Sequence, residues 1–149
     1  MDKTNYVSTL KSEDTEEWLD LQFTRPIGYY LAYAYQRIKV TPNGVTLISI
    51  ILGIGAGICF YSSQLEINFI GMLLLILANL HDSADGQLAR LTGKSTQIGR
   101  ILDGVAGDLW FITIYISLCL RLSSMHPNIW IVAIIAGISH VIQAAMADY

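Results

Sequence analysis

Apolar runs of bilayer length fill the sequence from residue 44 onward. Residues 44–62, 67–91, 98–122 and 129–147 each approach the roughly 20 apolar residues that an α-helix needs to cross hydrocarbon. Hydrocarbon offers the backbone no water, so each run must satisfy its own N–H and C=O groups as a helix. Only 14% of the residues are charged and mean hydropathy is +0.48, greasier than a soluble chain of 149 residues requires. The expected fold is all-α: a polytopic integral membrane bundle with four transmembrane helices in residues 41–149, preceded by interfacial N-terminal helices in residues 1–40.

The N-terminal segment carries Asp2, Glu13, Asp14, Glu16, Glu17 and Asp20, and lacks both the positive start and the apolar core of a secretory signal peptide. Residues 14–23, acidic first and apolar after, suit a short helix at the membrane surface. The following stretch from Pro26 holds Tyr29, Tyr30, Tyr33 and Tyr35, too short to span and with the aromatic content of the headgroup region. Thr41 and Pro42 then fit a helix cap and first turn. Gly53, Gly55 and Gly57 follow no strand, which favours close helix packing over a nucleotide-binding loop.

Eight of the nine Lys and Arg residues precede the first run or flank the turn at 91–97, and only Arg121 lies near the opposite loops. The positive-inside rule therefore places the N-terminus and that turn in the cytoplasm. Cys59 and Cys119 stand singly in apolar runs and read as packing residues, without the spacing of a zinc site. A net charge of -3 and the absence of a basic run argue against nucleic acid as a partner.

Four carboxylates, Asp82, Asp85, Asp103 and Asp108, sit within the second and third runs. Each costs up to roughly 2.5 to 3.5 kcal/mol near a bilayer centre, so each needs a compensating partner. Asp82 and Asp85 share a helix face, with Gly86 and Ala89 leaving room beside them. Gly99, Asp103 and Gly107 recur every four residues, so Asp103 stands in a stripe without bulk above or below. The short turn makes the two helices antiparallel neighbours and can bring Asp103 opposite Asp82 and Asp85. Hard oxygen ligands in this number suit Mg²⁺ or Mn²⁺. Salt bridges from Arg90 and Arg100 would neutralise two of the four acids without a metal, but would give the glycines no role.

Taken together, Asp82-x2-Asp85-Gly86-x2-Ala89-Arg90-x8-Gly99-x3-Asp103 resembles the signature of the CDP-alcohol phosphotransferase family. Thr41-Pro42-Asn43-x2-Thr46 is similar to the family's usual opening of its first span. The resemblance implies an enzyme that moves a phosphatidyl or phospho-alcohol group from a CDP-activated donor to an alcohol acceptor and releases CMP. It further implies two ions of Mg²⁺ or Mn²⁺ held by Asp82, Asp85 and Asp103, donor contacts from Gly86 and Arg90, and Asn43, Thr46 and Thr96 lining the same pocket. It implies a homodimer, active from the cytoplasmic face among membrane lipids.

Two departures bear on these expectations. The family places a fourth aspartate, the base for the attacking alcohol, beyond the third with three residues between them; here that position is Gly107, and Asp108 follows it. On an ideal helix Asp108 lies about 140° around from Asp103 and Gly107 only about 40°. Either a one-residue π-bulge between Gly104 and Gly107 re-aims Asp108 as the base, or the base comes from elsewhere. The family usually has six spans, so the chain is expected to be truncated at its C-terminus. His140 and Gln143 could face the cavity or make helix contacts, and Asn79 and His81 could orient the aspartates or simply pack. An intramembrane prenyltransferase, a cation carrier, and a donor-binding relative with impaired turnover are the competing readings.

Overall fold

The structure is a computed structural model that describes residues 20–147. A π-helical turn, Asp20–Thr24, leads into five α-helices: α1 (Arg25–Arg37), α2 (Pro42–Cys59), α3 (Leu65–Thr92), α4 (Gln97–Leu122) and α5 (Ile129–Ala147). No strand occurs among the described residues. The surface helix expected over residues 14–23 falls mostly outside them, as does Asp148.

Local sequence explains where the helices begin and end. The Thr41 side chain accepts a hydrogen bond from the Gly44 N–H at 3.2 Å, and Pro42 supplies the first turn of α2. The α3–α4 turn is built in the same way. Gly93 adopts the left-handed φ of 63° that closes α3, the Lys94 N–H reaches the Ala89 carbonyl at 2.9 Å, and Thr96 caps α4 by accepting from the Gly99 N–H at 3.0 Å.

Three helices, α2, α3 and α4, are long and apolar enough to cross a membrane. α5 is apolar over Ile129–Gln143. Ile131, Val132, Ile134, Ile135, Ile138, Val141 and Ile142 all point outward from α5, an arrangement suited to lipid.

α2 is the centre of the bundle and packs along both α3 and α4. Its glycines make that possible: the Trp110 indole of α4 lies directly against Gly53, and Thr113 against Gly57. Ile50, Ala78, Ala106 and Trp110 close this junction, and Ala32, Val45, Ala84 and Leu88 form a second core where α1 joins α2 and α3. At the end remote from the α3–α4 turn, the Arg121 guanidinium donates to the Phe60 carbonyl at 3.4 Å and to Asn68 Oδ1 at 3.2 Å, tying α4 to α2 and α3. α3 and α4 are neighbours whose carboxylates meet, as expected, but the two helices do not pack closely on each other. Although joined by a tight turn, they make only marginal contact, because both pack on α2 and their facing sides carry carboxylates and glycines rather than apolar knobs.

Candidate active site

The space left between α3 and α4 is a cavity of about 820 Å³, open at the end of the bundle that bears the α3–α4 turn. Asp82 and Asp85 line it from α3, and Asp103 lines it from α4. Asp85 is only 4% exposed, Asp82 is half-buried and Asp103 is exposed. One carboxylate oxygen from each can be chosen so that all lie within 4.8 Å of one another.

Two of the oxygens, Asp82 Oδ1 and Asp85 Oδ2, are buried without a hydrogen-bond partner. Buried carboxylate oxygens are rarely left so, because the desolvation cost is uncompensated. A divalent cation would supply the missing partner, and an all-oxygen donor set fits Mg²⁺ or Mn²⁺. Asp82, Asp85 and Asp103 are the residues that would hold it.

Around this cluster stand Asn43 and Thr46 from α2, Gly86 and Arg90 from α3, and Thr96 at the head of α4, all lining the same cavity. A methyl group on Gly86 would lie 3.5 Å from Arg90 Nη2, so the glycine keeps the helix backbone bare beside the guanidinium. A methyl group on Gly99 would meet Thr96 Oγ1 at 3.1 Å and Asn43 Oδ1 at 3.2 Å; the bare backbone there lets α2 and α4 approach beneath the opening. Thr46 is nearly buried, its hydroxyl donating to the Pro42 carbonyl at 3.1 Å.

Asp108 is placed differently. α4 is continuous α-helix from 97 to 122, with no π-bulge between Gly104 and Gly107. Asp108 is exposed and, like Gly107, is not among the residues that line the cavity. His140 is away from it too, its ring 4.0 Å from that of Phe111, and Gln143 is exposed. Asn79 does line the cavity, whereas the His81 ring Nδ1 sits 2.7 Å from the Leu77 carbonyl of its own helix.

Sequence reasoning missed a second wall. Asp20, Thr24 and Arg25 line the cavity from the segment before and at the start of α1, and Lys94 and Arg100 line it from the turn and α4. α1 is seated there by Gly28, where a methyl group would fall 2.7 Å from Ser83 Oγ, and by the Gln87 side-chain amide, which donates to the Arg25 carbonyl at 3.0 Å. A lone glycine in a tyrosine-rich stretch was the available signal, but it does not say which helix approaches.

No individual characterised protein matches the chain closely enough to name a relative. The family model of the CDP-alcohol phosphatidyltransferases matches residues 39–147, the span that contains α2 to α5 and nearly all of the cavity wall. Members transfer phosphorus-containing groups from CDP-alcohol donors to alcohol acceptors and generally use divalent metals. The chain belongs to the CDP-alcohol phosphatidyltransferase family.

Proposed function

We propose that this protein is a phospholipid-synthesis transferase that binds a CDP-linked donor in the α3–α4 cavity and transfers its phosphatidyl or phospho-alcohol group to an alcohol. The observation that carries the proposal is the meeting of Asp82, Asp85 and Asp103 at the cavity wall, with two buried carboxylate oxygens lacking a partner. Those three residues would hold the metal, two ions in this reading. Bound there, divalent cations would supply positive charge to the donor's phosphates as charge develops.

The chain's own side chains do the rest. Arg90 offers its guanidinium to a phosphate oxygen from beside Gly86, and Asn43, Thr46 and Thr96 present short polar groups to the CDP moiety. The acceptor oxygen forms a bond to the phosphorus attached to the lipid or alcohol. The bond from that phosphorus to the CMP oxygen breaks, CMP leaves with the electron pair, and the hydroxyl proton passes to a carboxylate. The cavity opens beside Lys94 and Arg100, which agrees with a cytoplasmic site under the positive-inside rule, and the apolar exterior agrees with membrane integration. A homodimer belongs to the same reading.

The test is release of CMP by the purified protein in lipid nanodiscs with Mg²⁺. CDP-diacylglycerol is offered with serine, glycerol 3-phosphate or inositol phosphate, and CDP-choline or CDP-ethanolamine with diacylglycerol. Metal-dependent CMP release with at least one pair is expected; none across the panel contradicts the proposal.

A further inference from the structure

The reaction needs a proton acceptor, and the position where the family resemblance implies one holds Gly107. Asp108 is exposed on an unbroken helix, outside the cavity. Among the described residues that line the cavity there is no His, Glu, Cys or Tyr. The carboxylates lining it among the described residues are Asp82, Asp85 and Asp103, which carry the metal in the reading above, and one more: Asp20.

The geometry points to Asp20 as the general base that takes the proton from the attacking alcohol, a role supplied by the N-terminal segment instead of by α4. Asp20 is half-buried in the π-helical turn that precedes α1, and that turn rests on both α1 and α3. Its position is fixed by the seat of α1: the Gln87 amide holds the Arg25 carbonyl, and Gly28 lies against Ser83 and Gln87. Asp20 thus lines the cavity from the turn before α1, a turn that also rests on α3. The charged groups facing that opening are Arg25 from α1, Asp82, Asp85 and Arg90 from α3, Lys94 in the turn, and Arg100 and Asp103 from α4. In the step, the hydroxyl oxygen bonds to phosphorus, its proton moves to an Asp20 oxygen, and the phosphorus–oxygen bond to CMP breaks. Asp20 later returns the proton to water.

This inference rests on the proposed transfer reaction, and the experiment separates the two. Steady-state CMP release is measured for wild type, Asp20→Asn, Asp20→Gly and Asp108→Asn with the donor and acceptor pair on which wild type is active. Binding of CDP to the same proteins with Mn²⁺ is measured by titration calorimetry. Asp20→Asn is expected to lose about 100-fold or more in kcat, the range for removal of a general base, with CDP affinity within twofold of wild type. Asp20→Gly is expected to regain part of its kcat with added formate, which a purely structural defect would not do. Asp108→Asn is expected to match wild type. Asp20→Asn within threefold of wild-type kcat, a loss in Asp20→Gly that formate does not relieve, or a large loss confined to Asp108→Asn overturns the assignment and leaves the transfer reaction standing. An inactive wild type overturns both.

Discussion

A carboxylate that is 4% exposed in a helix of bilayer length, as Asp85 is, stands against a cost of up to roughly 2.5 to 3.5 kcal/mol and persists only with compensation. Its Oδ2 has no hydrogen-bond partner, nor does Oδ1 of Asp82, and Asp103 brings a third carboxylate to the same point. Three acids converging in this way repel one another unless a cation joins them. Mn²⁺ with CDP should therefore raise the melting temperature of the wild type, since a ligand that binds only the folded state stabilises it by mass action. Asp85→Asn should lose most of that rise, as read by fluorescence melting in detergent. Gly86→Val should weaken CDP binding about tenfold or more in calorimetry, because its branches would crowd the guanidinium that lies 3.5 Å from where a first carbon would sit.

At the scale of the helices, α2 holds the site open by binding the partners that would otherwise close on each other. Trp110 on Gly53 and Thr113 on Gly57 fasten α4, while Arg121 ties the far ends to Phe60 and Asn68. Gly53→Leu should cost about 1 to 3 kcal/mol of stability by overpacking against the indole. Arg121→Met should cost about 1 kcal/mol, from two interhelical contacts worth about 0.6 kcal/mol each. Both are measurable as a loss of folded fraction in chemical denaturation in detergent. The helices themselves were legible in the sequence: Thr41 and Pro42 mark a start that the structure bears out, Asp82 and Asp85 could be paired by helical spacing, and the short turn brought Asp103 to them. The splaying of α3 from α4 was not legible, because a short turn normally means packed neighbours and only the competing grip of α2 prevents it. Nor was the second wall, since Asp20 and Arg25 reach the cavity through the contact of Gly28 with Ser83 and Gln87, some 55 residues apart in sequence. Asp20 reads in sequence as one acid among many in a surface segment.

For the whole molecule, a charged cavity at one end and an apolar exterior along three long helices suit a protein that works at a membrane face. Under the positive-inside rule, the distribution of Lys and Arg predicts that this face is the cytoplasmic one. In a background with Cys59→Ala and Cys119→Ala, a cysteine at Ser95 should react with a membrane-impermeant maleimide only from the cytoplasmic side, and one at Ser124 only from the other. Beneath all these expectations lies one claim, that Asp82, Asp85 and Asp103 form a divalent-cation centre for a CDP-linked donor. Electron paramagnetic resonance of Mn²⁺ titrated into purified protein with CDP tests it most directly. Wild type should remove the free-ion signal with saturable uptake, while Asp85→Asn should leave that signal almost intact. Equal uptake by the two proteins would contradict the account.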